Sequence, residues 1–192
     1  AGKTVIQTFM LAQCEKYKPT VFTFDKDQGQ EIFVKAMGGK YLTLQNGQPS
    51  GFNPCAMQDT PENRVFLEQL VKRCVRGDDP TFQFSPNRER EITEAINGIY
   101  GAIPHDQRRF STLLQFFDPT DPDGVYARFR KWCQGGSLGW LMDNPTDQIS
   151  LTGTRHFGFD VTAFLDNDET RTATVMYLFH RIDERLTGEP SM

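Results

Sequence analysis

The sequence predicts an α/β fold built on a parallel sheet, with an all-helical insertion in its middle. Three observations lead to this fold class. Residues up to about 45 read helix, strand, helix, strand, which is the order typical of parallel sheets. The next long stretch has only helical periodicity, and strand-like residues return near position 157. A length of 192 residues fits one domain, or one domain that carries an insertion.

Four segments make up the first part of the predicted sheet. A helix is predicted over residues 4–17, because apolar side chains recur there at helical spacing. Short apolar runs predict strands over 21–24 and 41–44. The helix predicted between them, over 30–37, ends at Gly38-Gly39, because glycine adopts the left-handed conformation that closes a helix. The apolar positions of the first helix are Val5, Ile6, Phe9, Met10 and Cys14.

The middle of the chain predicts the helical insertion. Thr60 and Pro61 supply an N-cap and a first helical residue, so a helix is predicted over 61–76. Periodic segments between proline and glycine residues predict three further helices. These helices cover 89–100, 106–117 and 124–133.

The last part of the chain is expected to rejoin the sheet. Residues 139–155 are predicted as loop, 157–161 as strand and 170–186 as a closing helix. The predicted division is 1–60 for the N-terminal part of the core, 61–136 for the insertion and 137–192 for the return to the core.

Composition limits the possible partners and compartments. The net charge of −4 and the pI of about 5.4 argue against a nucleic-acid coat or a polybasic membrane anchor, although a local basic groove stays possible. No apolar run reaches the roughly 18–20 residues of a membrane span, and the first residues do not resemble a signal peptide. The four cysteines have no zinc-ligand spacing, which indicates reduced thiols in a cytosol. They are Cys14, Cys55, Cys74 and Cys133.

The first four residues fit the second half of a phosphate-binding loop, G-x-x-x-x-G-K-[ST]. Gly2 would let backbone N–H groups approach phosphates, Lys3 would reach the β- and γ-phosphates, and the Thr4 hydroxyl would ligate Mg²⁺. The predicted helix that follows would direct its positive end at the anion. The alternative is a chance match, which about one chain in ten of this size contains. The helix and strand that follow favour the phosphate loop.

Acidic residues follow the first predicted strand. Asp25, Asp27 and Glu31 lie at or just beyond its carboxyl end, which in a parallel sheet is the edge where ligands bind. They are therefore candidate polar groups near a bound nucleotide. The alternative is that Asp27 caps the helix beginning near Gln30 and that the helix dipole favours Glu31.

No segment provides a Walker B strand, the apolar run ending in Asp-Glu that holds magnesium and a general base. Asp183 and Glu184 follow an apolar run, but its helical spacing predicts surface charges on a helix. We therefore expect no catalytic carboxylate in this chain. A second ambiguous pattern, Arg128, Arg130 and Lys131 beside two aromatic residues, could contact single-stranded nucleic acid but is more typical of an amphipathic helix.

Three strings together resemble the cytoplasmic ATPases of type IV secretion and conjugation systems, the VirB-four, TraC and CagE-like family. They are FDKDQGQEIFVKAMGGKYLTLQNG, GFNP and FGFDVTAFLDNDE followed by TATVMYLFHRIDERLTGEP. The resemblance implies a RecA-like P-loop NTPase domain, related to FtsK and HerA, that uses ATP and Mg²⁺. It also implies a hexamer working with other secretion subunits at the cytoplasmic face of the bacterial inner membrane, where hydrolysis would drive pilus assembly and substrate transfer. Gly2, Lys3 and Thr4 match the end of the family's Walker A motif.

The sequence departs from the family pattern at its two ends. The opening of Walker A and the Walker B strand are not in it, so we expect an interval between the two motifs that lacks central strands at both ends. Two alternatives stay open: a DNA-translocating motor of the FtsK or HerA kind, and a non-catalytic interaction module. The resemblance does not distinguish which arginine would act across a subunit boundary, and the candidates are Arg128, Arg130, Arg155 and Arg171.

Overall fold

A computed structural model describes residues 2–165 and 168–187. These residues form two compact units, which are described separately. The sheet unit comprises the described residues up to 46 and those from 150 to 165, and the helical unit comprises 47–149 and 168–187. In chain order the helices are α1 Lys3–Cys14, α2 Glu31–Ala36, α3 Pro61–Arg76, α4 Pro86–Ala102, α5 Phe110–Leu113, α6 Val125–Phe129, α7 Gly139–Met142, α8 Thr162–Leu165 and α9 Asp168–Thr187.

Three parallel strands form the sheet in the order β1-β3-β2. They are β1 Val21–Asp25, β2 Lys40–Thr43 and β3 His156–Asp160. The central strand β3 is buried along its whole length, and Phe157 and Phe159 stack on aromatic neighbours of β1. In the register, Asp160 lies opposite both Asp25 and Thr43. The carboxyl ends of all three strands therefore meet at one edge.

Helix α1 is attached to the sheet unit mainly by polar contacts at its two ends. None of its residues is buried, and Val5, Ile6, Phe9 and Met10 are each 61–72% exposed. Beyond its C-terminal end, the Glu15 carboxylate lies 2.7 Å from Nε2 of the buried His156. At its N-terminal half, the Thr8 hydroxyl donates to the Gln30 side chain at 3.2 Å. The sequence predicts an apolar face on this helix, and within the sheet unit that face is exposed.

The helical unit has a continuous apolar core. Helix α3 packs against α4, α6 and α9, which surround it. The predicted N-cap of α3 is present, since the Thr60 hydroxyl accepts from the Asn63 N–H at 3.2 Å, and Ser85 caps α4 in the same way. Fully buried side chains of the core include Leu67, Leu70, Ile92, Ile99, Phe110, Leu113, Phe129, Trp132 and Tyr177.

Two predicted helices of this unit are shorter than expected. The helix predicted over 106–117 is broken, because residues 108–109 are extended and only α5 and two 3₁₀ turns form. The Arg108 side chain explains the break: Nε donates to the Ile103 carbonyl at 2.9 Å and the guanidinium also reaches the Tyr100 carbonyl at 3.1 Å. It thereby caps the C-terminal end of α4. The helix predicted over 124–133 becomes α6 followed by a 3₁₀ turn.

The compact units divide the chain differently from the sequence-based division. Residues 47–60, 137–149 and the described part of 167–192 group with the helices rather than with the sheet. The physical reason for the last of these is that α9 packs on α3. The assignment of 137–192 to a nucleotide-binding core therefore stays a prediction.

Two further predictions can be compared with the structure. Among the described residues, no helix is long and apolar enough to cross a membrane. All four cysteines are free thiols, and Cys55, Cys74 and Cys133 are buried. Burial raises the pKa of the Cys55 and Cys74 thiols, so both stay protonated at neutral pH.

Candidate functional site

The N-terminus of α1 has the features of an anion-binding helix start. Gly2 is the N-cap at φ 107°, a left-handed conformation that glycine adopts without strain, and its carbonyl accepts from the Ile6 N–H at 3.0 Å. The N–H groups of the residues between them precede the first intrahelical bond, and no side chain of the N-cap satisfies them. Lys3 and Thr4 are exposed at this end. Free N–H groups, the helix dipole and one lysine together favour a phosphate.

Asp25, the last residue of β1, is held in a fixed orientation at the edge of the sheet. Its Oδ2 accepts from the Gln30 backbone N–H at 2.6 Å and from the Tyr41 hydroxyl at 2.9 Å. The Tyr41 ring reaches Asp25 across Gly158 of the central strand, where a Cβ would lie 2.3 Å from the ring. Burial, and then the bond to Asp25, raise the pKa of Tyr41, so the hydroxyl stays a donor at neutral pH.

Gly29 separates Asp25 from the start of α1. A Cβ at this glycine would lie 3.6 Å from Asp25 Oδ1, 3.8 Å from the Thr4 methyl carbon and 3.9 Å from Thr4 Oγ1. The second carboxylate oxygen and the hydroxyl therefore border the same small space, which a side chain would fill. Carboxylate and hydroxyl oxygens are ligands that suit Mg²⁺. The residues present fit a magnesium ion held beside a phosphate.

A second carboxylate, Asp160 at the end of β3, lies at the same edge. It is 4% exposed and accepts three kinds of donor: the Thr162 N–H at 3.0 Å, the Thr162 hydroxyl at 2.5 Å and the Gln28 side-chain amide at 3.2 Å. The Thr162 hydroxyl in turn accepts from the Asp27 N–H at 2.7 Å. Asp160 is thus fully engaged by the turn between β1 and α2 and by the start of α8.

The structure brings some of the sequence-predicted site residues together and not others. Thr4 and Asp25 border one space, with Gly2 and Lys3 at the adjoining helix start. Asp27 contributes its backbone N–H. Glu31 does not join them: it forms an ion pair with Lys35 at 2.5 Å on α2, which is the ordinary pairing of residues four apart on a helix.

Sequence reasoning missed four residues of this edge. Asp160 could have been found, because it ends an apolar strand in the same way as Asp25 and parallel strands end at one edge. Tyr41, Thr162 and the side chain of Gln30 carry no such signal, since their roles depend on contacts with other segments of the chain.

Asp183 and Glu184 lie on α9, as the helical spacing predicts. Asp183 is exposed, but the prediction of a solvated surface charge is wrong for Glu184. Its carboxylate is 15% exposed and lies 3.3 Å from Nε of Arg181, whose guanidinium also pairs with Asp147. The position of Glu184 on a helix and its pairing with Arg181 explain its low exposure, and they indicate no catalytic role.

Comparison with known proteins identifies relatives along nearly the whole chain. The type IV secretion system protein virB4 of Bartonella henselae is 44% identical over 189 residues, and that of Brucella abortus is 40% identical over 206 residues. PtlC, a type IV secretion system protein of Bordetella pertussis, is 35% identical over 202 residues. Each alignment covers 98% of this chain and 24% of the relative, so the chain spans about a quarter of the length of these curated relatives. No protein-family model matches the chain.

A solved structure is similar in fold. VirB4 of Thermoanaerobacter pseudethanolicus superposes with a TM-score of 0.70 over 96% of this chain and 54% of that one, at 15% identity. The parallel sheet, the helix that begins at Gly2-Lys3-Thr4 and this likeness define an α/β protein of the RecA-like P-loop class. Within that class, the chain belongs to the VirB4 family of type IV secretion system proteins.

Proposed function

We propose that this chain forms most of the ATP-binding domain of a type IV secretion motor. The observation that carries the proposal is the juxtaposition of Thr4 Oγ1 and Asp25 Oδ1 around Gly29, beside the N-terminus of α1. Gly2 and the first N–H groups of α1 would hold the phosphates of ATP, and Lys3 would contact the β- and γ-phosphates. Thr4 would ligate Mg²⁺, with Asp25 facing the ion or its bound water.

Each group has a distinct part in this proposal. A bound Mg²⁺ neutralises phosphate charge and orients the terminal phosphate. Tyr41 and the Gln30 N–H hold the Asp25 carboxylate in one orientation, because both donate to its other oxygen. Asp27 and Glu31 are weaker candidates, the first through its backbone and the second only through its negative charge nearby.

The secretion role is inferred from the relatives. These relatives are type IV secretion system proteins, and we propose the same setting here. In this setting a hexamer that contacts other secretion subunits at the cytoplasmic face of the inner membrane would hydrolyse ATP to drive pilus assembly and substrate transfer. The net charge of −4 gives no support to nucleic acid as the substrate.

The test is substitution of the phosphate-contacting lysine in the full-length protein. Lys3→Ala is expected to abolish ATP hydrolysis and weaken ATP binding, because it removes the lysine in the first turn of α1. Lys16→Ala, an exposed lysine just beyond the same helix, is the matched control and should leave both unchanged. Equal turnover by the two variants would contradict the proposal.

A further inference from the structure

The turn between β1 and α2 has an unusual backbone. Asp27 and Gln28 are consecutive residues with side chains, and their φ angles are 61° and 59°. This left-handed conformation is uncommon for residues that carry a side chain. Such residues persist only where the surrounding structure holds them, and they are frequent at functional sites. The contacts that hold this turn therefore indicate what it is for.

One set of contacts comes from the end of β3. The Thr162 hydroxyl accepts from the Asp27 N–H at 2.7 Å while it donates to Asp160 at 2.5 Å. Asp160 also accepts from the Gln28 side-chain amide at 3.2 Å. Both left-handed residues are thus bonded to one buried carboxylate, Gln28 directly and Asp27 through Thr162.

A second set of contacts links the same turn to α1. Gln30 is 3% exposed, and its backbone N–H donates to Asp25 Oδ2 at 2.6 Å. Its side-chain amide donates to the Thr4 carbonyl at 3.4 Å, and its side-chain oxygen accepts from the Thr8 hydroxyl at 3.2 Å. Because α1 buries no side chain, these bonds are a large part of what fixes its first turns. Gly29 lies between the two sets of contacts.

We propose that Thr162 is a positioning residue of the nucleotide site: through Asp27 and Asp160 it fixes the turn so that Asp25 faces Thr4 across Gly29. This inference rests on the function proposed above. Without the Thr162 hydroxyl, the Asp27 N–H and one lone pair of Asp160 lose their partners. The turn is then free to relax to ordinary φ angles, which moves Gly29 and Gln30. The affected property is the contribution of Mg²⁺ to ATP affinity, because the two oxygens that border the space no longer keep their spacing.

The experiment measures the affinity of the full-length protein for a fluorescent ATP analogue, with Mg²⁺ and with EDTA. The dissociation constant in EDTA divided by the dissociation constant in Mg²⁺ reports the contribution of Mg²⁺ to ATP affinity. Thr162→Val, which keeps the shape and removes the hydroxyl, should lower that ratio by about tenfold, the lower end of the effect of losing a residue that orients a metal ligand. Thr162→Ser keeps the hydroxyl and should restore it. Thr20→Val, at an exposed threonine just before β1, should not change it.

The possible outcomes separate this inference from the proposed function. If the unaltered protein binds no nucleotide, the proposed function and this inference both fail. If it binds with a strong Mg²⁺ contribution that Thr162→Val leaves intact, the inference is overturned and the proposed function stands. If Thr162→Val does not fold, the same ratio is measured for Gln28→Met. Gln28 is exposed, and this substitution removes only the hydrogen bond from its side chain to Asp160. A ratio lowered twofold or more supports the inference, and an unchanged ratio overturns it.

Discussion

Phe9 and Phe129 lie on helices of the two compact units, and their surroundings differ. Phe129 is fully buried in the helical unit, where it contacts the rings of Phe110 and Phe117. Phe9 on α1 of the sheet unit is 64% exposed, like the other apolar residues of its helix. The helical unit is therefore stabilised by an apolar core, whereas in the sheet unit helix α1 depends on hydrogen bonds and ion pairs. We infer that tight apolar packing suits the helical unit to a supporting role. The polar contacts around α1 suit the sheet unit to ligand binding.

The largest expected effect tests this contrast directly with one substitution made in each unit. Phe129→Ala should lower the free energy of unfolding by about 3–5 kcal/mol, because it leaves a cavity in a packed core. Phe9→Ala should change it by less than about 0.5 kcal/mol, since an exposed side chain has little packing to lose. Urea unfolding of the 192-residue chain measures both. A large loss for Phe9→Ala would show that the Phe9 side chain is packed in solution and would contradict the contrast.

The polar arrangement of the sheet unit is tested next. Tyr41→Phe removes one of the two donors to Asp25 Oδ2 while the ring that covers Gly158 is kept. Because hydrogen bonds to charged groups contribute about 1.5–3 kcal/mol, a loss at the lower end of that range is expected in urea unfolding. Tyr17→Phe, whose side chain is 75% exposed, is the control and should be neutral. Equal behaviour of the two variants would contradict the role given to the Tyr41 hydroxyl.

A smaller effect tests the helix cap of the helical unit. Thr60→Ala removes the oxygen that accepts from the Asn63 N–H and should cost about 1 kcal/mol. Thr60→Ser keeps an oxygen at the cap and should recover most of this. The measurement is again urea unfolding, with helix content followed by circular dichroism. If alanine and serine are equivalent at this position, the cap contributes nothing to stability.

The smallest effect concerns pH. Burial lowers the pKa of His180 below its usual 6.5, and the surrounding groups are Asn63, Phe66, Arg181, Asp183 and Glu184. As pH falls through 6.5 the unfolded chain takes up the proton first, so His180 stabilises the fold above that pH and loses this contribution as pH falls towards its folded pKa. The melting temperature should therefore fall less between pH 7.5 and 5.5 in His180→Gln than in the unaltered chain. His105→Gln, at an exposed histidine, is the control and should show the same fall in melting temperature as the unaltered chain. The prediction is wrong if His105→Gln reduces this fall and His180→Gln does not.

Local signals in the sequence predicted some elements to within a residue or two. Helix α3 begins where Thr60 and Pro61 indicate, because an N-cap is local chemistry, and it ends at residue 76 as predicted. The three strands and their parallel arrangement also follow from short apolar runs that alternate with helices. The resemblance to secretion ATPases, carried by particular strings, is confirmed by the relatives.

Long-range contacts explain what the sequence did not predict. The break at Arg108 depends on carbonyls at the end of α4, and periodicity cannot reveal that partner. At the candidate site, Thr4 and Asp25 are predicted from the motif and the strand end, whereas Tyr41 and Thr162 form their hydrogen bonds from other segments of the chain. The predicted division rests on local periodicity, which does not report that α9 packs on α3.

The strand order β1-β3-β2 also has a consequence for synthesis on the ribosome. The central strand is the last of the three to be made, since every residue between Thr43 and His156 precedes it. At a translation rate of about 5–20 residues per second, on the order of ten seconds pass between the synthesis of β2 and that of β3, which pairs with both β1 and β2. Residues 47–149 of the helical unit are translated during that interval, whereas α9 follows β3. Nascent chains should therefore recruit chaperones that shield the edges of β1 and β2, and ribosome profiling of chaperone-bound chains should show release only after β3 has emerged.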